Sequence, residues 1–170
     1  MDSDFFLIHR MKRGDQQALD SFVRKYYPTI SRYCYAHTPS KSDAEDMTQE
    51  TFARFFRSFQ DYQHQGKALH YLYVIASHVC ADYAKNQMPS EELTENLEAI
   101  SEDIDAQFVV RQAVYALPQE LREVTILYYL QDLSQKEIAK ILSIGLPLVK
   151  YRLRRAKEAL RIALGEEDDQ

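Results

Sequence analysis

A short stretch near the C-terminal end of the chain carries residues suited to binding phosphate. Four basic side chains lie within six consecutive positions; they are Lys150, Arg152, Arg154 and Arg155. On a helix that turns by about 100° per residue, three of them share one side with Tyr151, whereas Arg152 lies at its shoulder. Lysine and arginine bind phosphate oxygens, and arginine also hydrogen-bonds base edges in the major groove. The pattern favours nucleic-acid binding over the plainer interpretation of a solvated basic helix.

The residues before this basic helix complete a helix-turn-helix pattern. Ser134 and Glu137 have the spacing of a capping box, which predicts the start of a helix with the sequence QKEIAKIL. The segment Ser143-Ile144-Gly145 then predicts a tight turn into a longer second helix, LPLVKYRLRRAKEAL. Because the second helix of such a unit enters the major groove, the pattern indicates duplex DNA as the ligand.

A second distinctive stretch runs from Ser42 to Phe59. Ser42 with Glu45 three residues later predicts a helix start at that point. One side of this helix is apolar and should pack in a core, and the opposite side is polar. The polar side, named here the acidic face, consists of Asp46, Gln49, Glu50, Ala53 and Arg57.

The acidic face is either a solvated exterior or a docking surface. Asp46 and Glu50 place like charges four residues apart, which costs an isolated helix a few tenths of a kcal/mol. The small side chain of Ala53 leaves room for another surface to approach. We therefore expect a basic partner, because its charge would remove the repulsion.

Catalytic and metal-dependent chemistry are not indicated by the sequence. The carboxylates near the acidic face scatter around the helix instead of converging on one point. Cys34 and His37 have a metal-like spacing, but no second pair of ligands accompanies them. No glycine-rich phosphate loop or nucleophile elbow occurs. We expect a protein that is not an enzyme and that needs neither a metal nor a cofactor.

The elements that must position these residues are all predicted to be helices. The chain has 170 residues, 45% of them hydrophobic, with only four glycines and five prolines and with long runs of helical periodicity. Pro28 predicts a break between a helix over 16–27 and a following helix. The expected fold is all-α, with two small helical domains at 1–86 and 106–165.

Charge marks the boundary between these two domains. Residues 87–105 carry seven acidic side chains and no basic one, which predicts an acidic linker, and residues 166–170 form an acidic tail. The net charge of −5 does not exclude DNA binding, because screening lets each segment act on its own neighbours.

Location and redox state also follow from composition. The N-terminus is acidic before a short apolar run and lacks the pattern of a signal peptide, and no stretch reaches membrane-spanning length. We expect a cytoplasmic protein without direct membrane insertion. Cys34 and Cys80 sit inside helical patterns, which favours buried, reduced thiols over a disulfide.

Taken together, these motifs give the chain a family resemblance. It resembles a bacterial extracytoplasmic-function (ECF) sigma factor, the smallest class of promoter-specificity subunits of RNA polymerase. The resemblance covers nearly the whole chain and rests on the order of its pieces. They are Arg13-Gly14-Asp15, DAEDMTQETFARFF, YLYVIA at 71–76, LPQELREV, LSQKEIAKIL and VKYRLRRAKEAL.

The resemblance implies roles for the N-terminal half. The acidic face would dock on a basic coiled coil of core RNA polymerase. The loop after Phe59 and the next helix would open the downstream promoter element and capture an unstacked base of the single-stranded non-template strand. The implied DNA-binding residues there are Tyr62, His64, His70, Tyr71, His78 and Lys85.

The resemblance also implies roles for the rest of the chain. The linker would thread the active-site cleft of the polymerase, and the C-terminal half would read the upstream promoter element as duplex DNA. An anti-sigma factor is a further implied partner. The implied upstream-element residues are Lys150, Tyr151, Arg152, Arg154 and Arg155.

A stand-alone helix-turn-helix regulator is the alternative hypothesis. Its N-terminal helices would sense a ligand or form a dimer, and such a half more often carries a pocket or a dimerisation seam than an acidic face.

Overall fold

The computed structural model of the chain describes residues 3–86 and 106–165. Every regular element within these residues is helical, which confirms the all-α prediction. The predicted linker at 87–105 and the acidic tail at 166–170 lie outside the described residues. The N-terminal half contains α1 Ser3–Lys12, α2 Gln16–Ala36, α3 Lys41–Arg57, the 3₁₀ turn Phe59–Asp61 and α4 Ala68–Asn86. The C-terminal half contains α5 Ala106–Tyr115, α6 Gln119–Thr125, the π-helical turn Ile126–Leu130, α7 Gln135–Leu142 and α8 Leu146–Ala163.

Helix α2 continues through Pro28, so the predicted break at this residue is wrong. A proline inside a helix removes one backbone hydrogen bond and crowds the preceding turn. The apolar face of α2 offsets this cost, since Phe22, Ile30 and Tyr33 are fully buried on both sides of the proline. Tertiary packing has overridden the local signal.

The N-cap of helix α3 lies two residues earlier than the Ser42 cap that we expected. This cap is Ser40, whose extended backbone lets the side-chain oxygen accept a hydrogen bond from the Asp43 N–H at 3.2 Å. The hydroxyl of Thr38 in turn accepts a hydrogen bond from the Ser40 N–H at 3.2 Å. Both serines are suitable caps, and the turn that leads into the helix selects the first.

Aromatic packing holds α2, α3 and α4 together. The rings of Phe22 on α2 and Phe55 on α3 stack with centroids 5.0 Å apart, and both side chains are fully buried. The ring of Tyr71 on α4 lies 5.9 Å from that of Phe55. Cys34 and Cys80 are buried free thiols in this core, as expected.

The helix-turn-helix prediction is confirmed in the C-terminal half. The hydroxyl of Ser134 accepts from the Glu137 N–H at 3.1 Å, and the Glu137 carboxylate accepts from the Ser134 N–H at 2.8 Å. The turn after α7 places Ser143 in the left-handed region, with φ 53° and ψ 44°. Gly145 has an ordinary extended backbone as the N-cap of α8. The residue with the left-handed backbone in this turn is therefore Ser143 and not Gly145.

The two halves pack against each other along one continuous hydrophobic core. The Tyr73 hydroxyl on α4 donates a 2.6 Å hydrogen bond to the Gln131 side chain. The guanidinium of Arg111 lies 3.3 Å from the centre of the Tyr35 ring and donates to the Tyr35 carbonyl at 3.0 Å. These contacts join α2 and α4 to the C-terminal half.

Candidate binding surfaces

The acidic face on α3 is largely exposed, and Glu50 within it already has partners in the chain. Glu50 Oε1 accepts hydrogen bonds from Arg54 Nε at 2.8 Å and from Arg57 at 3.1 Å. Arg54 first, and then Arg57, lower the pKa of the Glu50 carboxyl below its usual value. Arg54 also bonds Asp82 on α4 at 3.2 Å. Two arginines of the chain therefore already offset part of the Asp46–Glu50 repulsion, and the basic partner stays a prediction.

This network leaves the face available for docking. Asp46, Gln49, Ala53 and Arg57 are exposed, and Glu50 is partly exposed. Ion pairs between exposed side chains contribute only about 0.2 to 1 kcal/mol each. A stronger cationic surface can therefore replace Arg54 or Arg57 at Glu50 with little loss of stability.

The loop at 62–67 is organised around two stacked tyrosines. The Tyr62 and Tyr71 rings have centroids 4.8 Å apart and planes 28° apart, and Tyr62 is only 8% exposed. The Tyr62 hydroxyl and His64 Nδ1 are 3.0 Å apart, and Lys12 donates a hydrogen bond to the Tyr62 carbonyl. Tyr62 therefore anchors the loop, and Tyr71 is the more accessible of the two rings.

The polar residues of α4 extend from this loop along one side of the helix. A rotation of about 100° per residue places His70, His78 and Lys85 within about 80° of one another. His70 is partly buried, and this burial lowers the pKa of its imidazole. His78 and Lys85 are exposed. At 1.5 Å per residue, His70 and Lys85 are separated by about 22 Å along the helix axis.

A cavity of about 320 Å³ opens between the loop and α7. One wall is formed by residues of the N-terminal half, among them Tyr62, Lys67, His70 and Tyr71. The other wall is formed by Lys140 and Ile141 of α7. Lys67 was not among the predicted site residues.

Helix α8 displays the predicted basic surface, with one change. Lys150, Tyr151, Arg154 and Arg155 are exposed and are named here the basic face. The opposite side of α8 is buried through Val149, Leu153 and Ala156.

Arg152 does not share the basic face. Its side chain is only 17% exposed and lies 3.7 Å from Glu120 of α6. Burial raises the pKa of the neighbouring Glu123 to about 7, and the charge of Arg152 opposes this effect. Arg152 thus contacts its own domain, a position that follows from the packing of α6 on α8.

The described residues, 3–86 and 106–165, contain neither a metal-binding cluster nor a membrane-spanning helix. No group of three or more histidine, cysteine, aspartate or glutamate side chains there is arranged to hold a metal ion. None of the helices in those ranges is long and apolar enough to cross a membrane.

Two family models match the chain in the order of its two halves. The model of Sigma-70 region 2 matches residues 22–89, and the model of Sigma-70, region 4 matches residues 107–160.

Curated relatives match over most of the chain. The ECF RNA polymerase sigma factor SigW of Bacillus subtilis is 30% identical, over 91% of this chain and 92% of its own length. SigE of Mycolicibacterium smegmatis is 32% identical, over 87% of this chain and 63% of its own length. The ECF sigma-E factor of Escherichia coli K12 is 27% identical, over 93% of this chain and 92% of its own length.

Two solved structures share the fold. CnrH, in complex with the cytosolic domain of CnrY, has a TM-score of 0.77 at 19% identity, covering 98% of this chain and 100% of CnrH. RpoE of Bartonella quintana, in complex with the anti-sigma factor NepR, has a TM-score of 0.68 at 16% identity. The match covers 88% of this chain and 98% of RpoE. At these identities the likeness establishes the helical arrangement.

Proposed function

Because this chain belongs to the ECF family of RNA polymerase sigma factors, we propose that its separate surfaces divide the work of promoter recognition. The chain directs core RNA polymerase to promoters and itself catalyses no reaction. The observation that carries the division is that the acidic face and the basic face are exposed on different helices, α3 and α8. We assign polymerase binding and DNA melting to residues 1–86 and upstream-element recognition to residues 106–165.

The acidic face binds a basic surface of core polymerase in this proposal. Asp46 and Gln49 are exposed beside the small Ala53, so a partner helix can approach closely. Glu50 exchanges its bonds with Arg54 and Arg57 for a cation of the polymerase. Arg57 is left at the rim, where it can pair with an acidic group of the partner.

The loop and α4 bind the downstream promoter element. Tyr71 supplies a ring for stacking with an unstacked base, a contact worth about 1 to 3 kcal/mol. Tyr62 and His64 hold the loop in place, as their mutual contact supports. His70, His78 and Lys85 lie along the same side of α4 and follow the strand away from the loop.

The basic face reads the upstream element. In this proposal Lys150 and Arg155 neutralise phosphates and Arg154 reaches base edges beside Tyr151, whose ring centre is 5.8 Å from the Arg154 guanidinium. Arg152 acts indirectly, since it lies between α8 and Glu120 of α6 instead of on the basic face. The remaining four residues of the predicted set make the DNA contacts.

An anti-sigma factor is a further partner in this proposal. The two structures with the same fold were each solved with a second protein, CnrY or NepR. Such a partner would cover the polymerase-binding surfaces and keep the chain inactive. We place the protein in the cytoplasm, where core polymerase works.

Run-off transcription tests the proposal. Purified protein is added to bacterial core polymerase on a library of random promoter-like DNA, and the start sites are sequenced. Discrete start sites with shared upstream and downstream motifs are the expected result. Duplex binding by the protein alone, without core-dependent initiation, would contradict it and support the stand-alone regulator.

A further inference from the structure

Glu137 of α7 reaches across to the N-terminal half of the molecule. Its Oε1 atom lies 3.5 Å from Lys67 Nζ and 3.4 Å from His70 Nε2. Lys67 comes from the end of the loop and His70 from the first turn of α4, whereas the carboxylate comes from the helix-turn-helix unit. One oxygen thus joins the two halves of the chain.

The capping box fixes this carboxylate in place. Glu137 Oε2 accepts the Ser134 N–H at 2.8 Å, which leaves Oε1 directed at Lys67 and His70. The backbone hydrogen bond from Ser134 is the largest cause that lowers the pKa of Glu137, so the group is ionised at neutral pH. Glu137 therefore presents a fixed anionic oxygen to two potential cations.

The same helix closes one side of the cavity beside the stacked tyrosines. Lys140 and Ile141 of α7 line the space that Tyr71 and His70 line from the other side. A DNA strand that approaches Tyr71 through this cavity meets α7 on the opposite wall.

This inference rests on the proposed function of the loop in binding the non-template strand. We propose that Lys67 and His70 form a binding site for a phosphate of that strand, and that Glu137 occupies the site when the two halves are packed together. Carboxylate and phosphate oxygens accept the same charge-assisted hydrogen bonds from lysine and histidine. Helix α7 thereby keeps the free protein from binding single-stranded DNA until the halves separate.

Zero-length cross-linking tests the occupied state. A carbodiimide joins an amine to a carboxylate only when they are in contact, and the product is located by peptide mass spectrometry. The Lys67–Glu137 cross-link should form in the free protein and fall at least severalfold when core polymerase and promoter DNA are added. Absence of the cross-link in the free protein, or equal yield in the assembled complex, would overturn the inference.

Oligonucleotide binding tests the phosphate site. Glu137→Gln removes the charge but keeps the capping box, because glutamine makes the same bond to the N-cap. The free variant should bind a fluorescent single-stranded DNA of mixed sequence up to about fivefold more tightly than wild type, the range that the one exposed ion pair with Lys67 can supply. Adding Lys67→Gln to this variant should cancel the gain.

Asp20→Asn is the matched control, because it removes the same charge from an exposed position on α2. If Asp20→Asn strengthens binding as much as Glu137→Gln does, net charge explains the effect and the inference fails. Promoter-dependent initiation by wild type with core polymerase measures the proposed function separately. Normal initiation with unchanged oligonucleotide binding by Glu137→Gln therefore overturns this inference alone.

Discussion

Replacing Glu50 by alanine should weaken binding to core polymerase while leaving the fold intact. In the free protein the side chains of Glu50, Arg54 and Arg57 are 40%, 37% and 68% exposed. Ion pairs of this kind contribute about 0.2 to 1 kcal/mol each. Glu50 makes two such pairs, so the free energy of unfolding should fall by about 0.4 to 2 kcal/mol.

The loss in the docked complex should be much larger. Docking removes water from Glu50, and truncation of one member of such a charge pair costs about 2 to 5 kcal/mol, because the partner cation is left buried without its anion. This energy corresponds to a rise in Kd from about 30-fold to several thousandfold. The two ranges meet only at about 2 kcal/mol, so a loss of affinity that exceeds the loss of stability distinguishes the docked pair from the pairs in the free protein.

Fluorescence anisotropy with labelled protein and core polymerase measures the affinity. Glu45→Ala is the matched control, since it removes an exposed carboxylate from the same helix outside the acidic face. Arg154→Ala should keep the affinity for polymerase and lose specific promoter use. Equal Kd values for Glu50→Ala and Glu45→Ala, or parallel loss of both activities in Glu50→Ala and Arg154→Ala, would refute the proposed division of surfaces.

Three further substitutions test the folding energetics. The buried His37 ring nitrogens have no hydrogen-bond partner among the described residues, and burial, with Arg122, lowers the pKa of His37 to about 3. Below about pH 6.5 the unfolded chain therefore binds more protons than the folded one. The free energy of unfolding of wild type, measured by urea titration, should fall by about 2 kcal/mol more than that of His37→Phe between pH 7 and pH 5. Parallel pH profiles of the two proteins would contradict this. Burial raises the pKa of Glu123 to about 7, so this group makes the free energy of unfolding fall, not rise, with increasing pH. The stability that it contributes at pH 4.5 is lost as the pH rises to 7. Glu123→Gln should abolish that loss in the same titrations. Ser143→Gly should raise the free energy of unfolding by about 1 kcal/mol, because glycine adopts φ 53° without strain. Thermal unfolding of this variant, compared with wild type and with Ser143→Ala, shows whether glycine stabilises the protein.

Several features of the fold and of the binding surfaces could be predicted from the sequence because they depend on residues that are near in the chain. The capping box at Ser134 and Glu137 is set by a spacing of three residues, and the apolar stripe of α8 is set by helical periodicity. The pairing of Glu50 with Arg54 could also be predicted from the sequence, since the two residues are four positions apart on one helix. The start of α3 could not be predicted in this way, because Ser40 and Ser42 are equally good caps locally and the preceding turn selects between them.

Other features were decided only by the tertiary structure. The sequence by itself determined that the chain is helical, that it carries a helix-turn-helix unit and which helix sides are charged, since each property arises within a few turns of one helix. It did not place Arg152 against Glu120, bury Tyr62 under Tyr71 or bring Glu137 to Lys67, seventy positions away. Those polar groups meet because the apolar faces of α4, α6, α7 and α8 are buried together, and the way separate helices pack depends on all of their surfaces at once.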